Sequence, residues 1–236
     1  MASIELCRSC GVAVGENYCP SCGIARQNKK ITLGSLIHEF FHLFTHLDKG
    51  FLFTLRSLVT APGNMQRDYI VGNRWKYHKP FATFFICLTA LAIGRYLITR
   101  SLLYIGDDAN MAEEQFLKDY MVIIQLGLMP VHILITWLFF KRSGYNFAET
   151  GVMLLYVFSF LCIGAFAISF LRFAWPDMDS ALVELPMFMI YYVLTVVNFY
   201  HFTAKWKIGI LGIISFVVIF FSIQFTEDIL KNILEI

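Results

Sequence analysis

The sequence contains little charge. Only 15% of its 236 residues are Asp, Glu, Lys or Arg, whereas 58% are hydrophobic and 17% are aromatic. A soluble domain of this length cannot bury so large an apolar fraction, so the composition excludes the ordinary soluble class. The net charge of +2 gives no reason to expect nucleic acid as a partner, because the basic residues are segregated along the chain.

Two other features are missing. The first thirty residues are polar and rich in cysteine, so they lack the basic segment and apolar stretch of a cleavable signal peptide. The chain also has no glycine-rich phosphate loop and no Ser or Cys nucleophile arrangement. We therefore expect the first membrane span to direct targeting, and the sequence does not indicate a reaction.

Five apolar stretches have about the length of ~20 residues that a membrane-spanning helix needs. They are Phe81–Tyr96 with its extension Leu97–Thr99, Asp119–Phe140, Thr150–Leu171, Val183–Phe202 and Ile208–Phe225. A single stretch of this kind could be a buried helix of a soluble domain. Five in succession, with short charged connections, predict an all-α integral membrane protein with a five-helix bundle over residues 81–226.

The distribution of Lys and Arg predicts the orientation of the spans. Residues 1–80 carry ten of them, and further pairs lie in the second and fourth connections: Lys141, Arg142, Lys205 and Lys207. The other connections and the tail, residues 227–236, are acidic. Because basic loops stay in the cytosol, we expect a cytosolic N-terminus, an extracytoplasmic C-terminus and a location in the cytoplasmic (inner) membrane.

Four cysteines form the most specific motif of the chain. Two copies of Cys-x2-Cys-Gly occur in residues 1–30, and their cysteines are Cys7, Cys10, Cys19 and Cys22. Paired thiolates on tight turns bind Zn²⁺ tetrahedrally, and a glycine after each pair permits the turn. The motif predicts a small cytosolic zinc knuckle folded largely by its structural zinc, ahead of two disulfides or a redox dithiol pair.

Residues 31–80 have an amphipathic character. Apolar residues at helical spacing follow Ile31, and the opposite side is polar, which predicts an interfacial helix. A second apolar run, Phe51–Thr60, ends at turn residues 61–64, and a short helix from about Met65 to Val71 is expected to end at Gly72. The basic and aromatic residues 74–80 then predict an anchor at the headgroups.

At this point the chain resembles an uncharacterised bacterial family of multi-span membrane proteins, named only as a domain of unknown function, with an N-terminal zinc-ribbon-like element. The resemblance rests on the four cysteines and on Asp48-Lys49-Gly50-Phe51, Thr54-Leu55, Pro62-Gly63, Tyr69, Gly72-Asn73-Arg74, Tyr77 and Lys79-Pro80-Phe81. It implies the architecture and no chemistry. A weaker likeness, of topology alone, is to five-span proteins of the Yip1 type.

A second motif suggests a different chemistry. His38-Glu39-Phe40-Phe41-His42 has the His-Glu-x-x-His spacing of zinc peptidases, in which the Glu activates a metal-bound water. His46 could add a third nitrogen to a second metal site with His38 and His42. The same residues also fit the polar, water-facing side of the predicted interfacial helix. The further sequence signatures of zinc peptidases are absent.

Polar residues inside the spans suggest a third possibility. They are Gln125, His132, Asn198 and His201. His132 and Asn198 could face each other across the bundle, as in a transporter, but hydrogen bonding between helices explains such residues equally well and is favoured. Arg95 is expected to extend outward to the headgroups.

The sequence as a whole favours a non-enzymatic scaffold or regulator that presents the zinc knuckle to a cytosolic or membrane protein partner, with the lipid bilayer as its surroundings. The alternatives are a transporter or lipid-handling protein that uses the polar residues of the spans, and a membrane metallopeptidase with Glu39 as its base.

Overall fold

The computed structural model describes residues 7, 10–13, 19–21, 32, 34, 50–105, 127–173, 175 and 180–234. The helices within these residues are α1 (Phe51–Thr60), α2 (Asn64–Val71), α3 (Pro80–Ile105), α4 (Gly127–Phe139), α5 (Phe147–Ser169), α6 (Ala181–Phe199) and α7 (Lys205–Leu234). Short 3-10 turns lie at Arg74–Lys76, Lys141–Ser143 and Phe170–Phe173. No β-strand occurs in this part of the chain, which confirms the all-α prediction.

Four helical stretches are long and apolar enough to cross a bilayer. They are Arg74–Ile98, Phe147–Ser169, Ala181–Phe199 and Lys205–Thr226. They agree with the first, third, fourth and fifth spans expected from the sequence, and they indicate a membrane protein.

The second predicted span is described only in part. Its described portion is the apolar helix α4, and residues 119–126 of the predicted span lie outside the described residues. The structure therefore gives four candidate spans, and the second predicted span stays a prediction.

The long helices pack around α5. Helix α3 runs parallel to α5, because Phe84 contacts Phe158 and Gly94 contacts Phe166 farther along both helices. Helix α6 runs antiparallel to α5, since Tyr145 meets Phe199 at one end. Helix α7 in turn lies antiparallel to α6. The core is formed mainly by apolar side chains of α5 and α6, which include Met153, Leu154, Val157, Tyr192, Val196 and Phe199.

Local sequence explains the ends of these helices. Helix α5 begins with a capping box. The Glu149 backbone amide donates a hydrogen bond to Asn146 Oδ1 at 2.8 Å, and the Asn146 backbone amide donates one to Glu149 Oε2 at 2.9 Å. Helix α2 ends at Gly72, as the sequence predicts, and that glycine has φ +132°. Helix α1 covers the predicted run Phe51–Thr60.

Candidate functional site

Three cysteines of the N-terminal motif lie together. The Sγ atoms of Cys7, Cys10 and Cys19 are all within 4.8 Å of one another, and those of Cys10 and Cys19 are 3.4 Å apart. Sulfur atoms that share one Zn²⁺ at about 2.3 Å each are separated by roughly 3.8 Å in a tetrahedron. The three thiols are therefore spaced as ligands of one metal ion.

The backbone around Cys7 forms the turn that the motif requires. The Gly11 amide donates to the Cys7 carbonyl at 2.9 Å, and the Cys7 amide donates to the Val12 carbonyl at 2.8 Å. Gly11 has φ +71°, a conformation that glycine adopts without steric cost. The glycine after the Cys-x2-Cys pair thus lets the chain turn back toward its first cysteine.

The donor set fits zinc. Thiolate sulfurs are soft ligands that suit Zn²⁺, and no other described residue offers a competing group of metal ligands. Cys7 and Cys19 are buried and Cys10 is exposed, so a bound ion would be partly screened from water. The fourth predicted ligand, Cys22, lies outside the described residues, as do His38, Glu39, His42 and His46 of the possible second site.

The helical segment between the cysteines and the first span is attached to the bundle. We call residues 50–79 the platform. Three side chains of the long helices donate hydrogen bonds to platform carbonyls: Tyr156 to His78 at 2.6 Å, Tyr191 to Leu58 at 3.0 Å and Asn198 to Pro62 at 3.1 Å. The Leu58 carbonyl belongs to the last turn of α1, where carbonyls lack helical partners. The bundle thus supplies hydrogen-bond donors to three backbone carbonyls of the platform.

Apolar packing strengthens this attachment. One side of the platform is buried against the first turns of α5, in a cluster of Leu58, Met65, Tyr69, Ala148, Val152 and Tyr156. The rings of Tyr69 and Tyr156 meet edge to face with centroids 5.6 Å apart. Leu58 has no exposed surface, so the platform shares a core with the bundle.

Gly63 permits a close approach between the platform and the bundle. A Cβ atom at this position would lie 2.4 Å from the Thr195 carbonyl oxygen and 2.8 Å from the Phe199 amide nitrogen. Gly63 also has φ +83° and ψ −47°, which side-chain-bearing residues rarely adopt. Both the turn between α1 and α2 and its contact with α6 therefore require glycine.

Hydrogen bonds within the platform fix its own shape. Asp68 accepts from Asn73 Nδ2 and, at 2.9 Å, from Tyr77 Oη. The His78 amide donates to Thr54 Oγ1 at 2.7 Å, which ties the end of the platform back to α1. Thr54, Asn73 and Tyr77 are among the residues on which the family resemblance rests, and in the structure their hydrogen bonds hold the platform together.

Removal of the Tyr191 hydroxyl is expected to loosen the platform. Tyr191→Phe leaves the buried Leu58 carbonyl without its donor, and an unsatisfied buried acceptor costs about 1–3 kcal/mol. We expect faster amide hydrogen exchange in α1 and little change in α7. Tyr192→Phe is the matched control, because Tyr192 bonds to Thr136 and Ser215 and not to the platform. Equal exchange in α1 for both variants would contradict this role.

Three of the four predicted polar residues of the spans are described, and each has a different partner. Asn198 bonds to Pro62, and both ring nitrogens of His201 lie within 2.9 Å of Arg67 Nη1, so these two residues contact the platform. His132 is fully buried, and its ring stacks on Phe158 at 5.7 Å. Gln125 lies outside the described residues.

Arg67 of the platform also lies near Tyr145, which belongs to the loop before α5. Burial raises the pKa of the Tyr145 phenol, while the nearby positive charge of Arg67 opposes that rise. Arg67 therefore lies close to both Tyr145 and His201. The start of α5 and the end of α6 thus both lie near Arg67 of the platform.

Two polar contacts were missed by the sequence analysis. Thr136, Tyr192 and Ser215 form a buried hydrogen-bonded chain across α4, α6 and α7, with distances of 3.1 Å and 3.0 Å. The second contact involves Arg95, which was expected to extend outward to the headgroups. In the structure it forms an ion pair with Glu184 at 2.8 Å. The sequence shows each residue but not which helices are neighbours, so it carries no signal for either contact.

Comparison with known proteins gives one partial match. No curated protein and no solved structure matches the chain. Residues 48–91 match the model of a family described as a protein of unknown function (DUF3667). The matched segment contains the whole platform and the first part of α3. The chain is therefore similar, over the platform and the start of the first span, to an uncharacterised family.

Proposed function

We propose that the chain is a non-enzymatic membrane scaffold or regulator that presents a zinc knuckle to a cytosolic or membrane protein partner. One observation carries the proposal: the thiols of Cys7, Cys10 and Cys19 converge within 4.8 Å. With Cys22 they would complete the four-thiolate set of a structural zinc site. Such closed sites leave no open position for substrate, so they shape a surface rather than catalyse.

The attachment of the platform supports a presenting role. Its carbonyls are bonded to α5 and α6, and its apolar side shares a core with α5. A knuckle that precedes such a rigid segment in the chain would be held near the membrane. A cytosolic partner bound to the knuckle would then be recruited to the membrane surface.

The finer topology is also part of the proposal. Extension of α4 toward Asp119 would give a fifth span, since the sequence there continues apolar. Lys141, Arg142, Lys205 and Lys207 lie at the end of the bundle where α5 and α7 begin. By the positive-inside rule this is the cytosolic end, which puts the N-terminus inside and the C-terminus outside the inner membrane.

The two alternatives have less support. A transporter site built on Asn198 and His201 would need these side chains free, whereas both bond to the platform. The peptidase alternative rests on His38, Glu39 and His42, which lie outside the described residues.

A crosslinking experiment in living cells separates scaffold from peptidase. A photoreactive amino acid replaces the exposed Ser21, next to the cysteine cluster. We expect a cytosolic protein adduct in this protein and in its Glu39→Gln variant. If the protein is a scaffold, Glu39 is only a charge on the predicted polar side of residues 31–47, and an amide of the same shape at a surface position changes stability by about 0.5 kcal/mol or less. The adduct should disappear with Cys19→Ser/Cys22→Ser.

Cys87→Ser/Cys162→Ser is the matched control, because both residues are buried within the spans. It should keep the adduct. A peptidase would instead show no zinc-dependent adduct at Ser21, together with an uncleaved membrane protein that accumulates in the Glu39→Gln cells, since that change removes the general base. That pair of results would replace the scaffold with an enzyme.

A further inference from the structure

The ends of the long helices provide a scale of membrane depth. At the end of the bundle where α3 and α5 begin, Lys141 lies over the Trp137 ring and Lys207 over the Trp206 ring, each at 5.4 Å. Paired tryptophan and lysine side chains mark the headgroup level. We call this end of the bundle the basic end.

Two of the platform contacts lie well below that level, whereas those of Asn198 and His201 lie near the end of α6. Tyr156 stands nine residues inside the start of α5, and Tyr191 stands eight residues inside the end of α6. At about 1.5 Å per residue these positions are roughly 12–13 Å deep. Helix side chains lean toward the N-terminus, which for Tyr191 is the deeper direction. The Leu58 carbonyl that Tyr191 contacts is therefore inside the hydrocarbon of one leaflet rather than on its surface.

The offset of α3 leaves room for the platform at this depth. Phe84 meets Phe158 with ring centroids 6.5 Å apart, and a Cβ at Gly94 would touch Phe166. These pairings put Pro80, the first residue of α3, about level with the stretch from Val152 to Leu154 of α5. The first turns of α5 thus lack a neighbour from α3. Leu58, Met65 and Tyr69 of the platform cover them instead.

The outward face of α1 is apolar. Leu52 is 76% exposed, Val59 is 64% exposed and Phe53 is 49% exposed. Water would be an unfavourable neighbour for such a face, whereas acyl chains are a favourable one. Arg56 lies on the same face, and no described carboxylate pairs with it. Its long side chain can reach up to a lipid phosphate, as arginines near the interface do.

Irregular backbone survives at membrane depth only where protein groups satisfy it. The bonds from Tyr156, Tyr191 and Asn198 to the carbonyls of His78, Leu58 and Pro62 meet this requirement. A segment lying on the surface would not need them, because water would serve those carbonyls. The bonds of Tyr156 and Tyr191 thus agree with the depth of their helix positions, while Asn198 serves Pro62 near the end of α6.

From these observations we propose that α1 is embedded in the leaflet at the basic end, and that Leu52, Phe53 and Val59 contact phospholipid acyl chains. This proposal differs from the expectation that the whole of residues 31–80 lies on the membrane surface. It concerns a lipid-binding surface that is independent of the zinc knuckle.

Photocrosslinking in vesicles tests the lipid contact of α1. The full-length protein, with a benzophenone amino acid at Leu52 or at Val59, is reconstituted in phosphatidylethanolamine and phosphatidylglycerol, irradiated and analysed by mass spectrometry. We expect phospholipid adducts attached through the acyl chain at both positions. Their yield should be within about threefold of the yield at Ile213, which is exposed on the candidate span of α7.

Arg142, exposed in the connection before α5, is the control at the headgroup level. It should give at most headgroup adducts. The proposal is overturned if positions 52 and 59 give no acyl-chain adduct above the Arg142 level. It is also overturned if they crosslink to residues 31–47 of the same chain or to a second copy of the chain, because the face would then be covered by protein.

Discussion

Gly63→Ala is expected to destabilise the protein by about 3 kcal/mol or more. A positive φ costs a residue with a Cβ about 1–2 kcal/mol, and forced overpacking costs about 1–3 kcal/mol. Both apply here, because the new Cβ would lie 2.4 Å from a backbone oxygen of α6 that cannot rotate away. The thermal midpoint in detergent should fall by roughly 6–12 °C for a chain of this size.

Gly144→Ala is the matched control. Gly144 has the same φ of +83°, but a Cβ there meets nothing within 4 Å. The control therefore carries only the backbone cost of about 1–2 kcal/mol. Equal falls in the thermal midpoint for the two variants would mean that Gly63 does not pack against α6, and the rigid attachment of the platform would be wrong.

Cys19→Ser/Cys22→Ser is expected to remove bound zinc. We expect the wild-type protein to purify with about one Zn²⁺ per chain and the double variant with less than about a tenth. Two of four thiolates are lost, and a small element with little core depends on its metal for folding. The spans should still insert, since Leu58 and the other core residues of the platform and bundle are unchanged. Elemental analysis of gel-filtered protein measures the ratio.

Two controls complete the zinc experiment. Cys87→Ser/Cys162→Ser makes the same chemical change inside the spans and should leave the zinc content unchanged. Full zinc occupancy in Cys19→Ser/Cys22→Ser would rule out the knuckle. A second zinc equivalent that is lost with His42→Ala would show instead that the histidines form a metal site of their own.

Much of the local structure could be predicted from the sequence. The boundaries of α1 and α2 follow from the turn residues around Pro62-Gly63 and from Gly72, and four spans follow from the length of the apolar stretches. The proximity of Cys7, Cys10 and Cys19 follows from their spacing. In each case the signal is local, within about one helix or turn.

Contacts between distant residues could not be predicted in the same way. Tyr191 meets the Leu58 carbonyl across 133 positions, and Arg95 meets Glu184 across 89. The sequence of α1 places apolar residues on both sides of the helix. Nothing in the sequence distinguishes the side that packs on α5 from the side that remains exposed. The proposed depth of α1 in the membrane therefore rests on the pairing of the platform with α5 and α6.

X-ray absorption at the zinc edge on the purified full-length protein tests the central claim most directly. The account predicts about one zinc per chain with a single shell of four sulfur atoms at about 2.3 Å, the distance of zinc–thiolate bonds. A shell of nitrogen and oxygen at about 2.0–2.1 Å would contradict it, because histidine and carboxylate rather than Cys7, Cys10, Cys19 and Cys22 would then hold the metal.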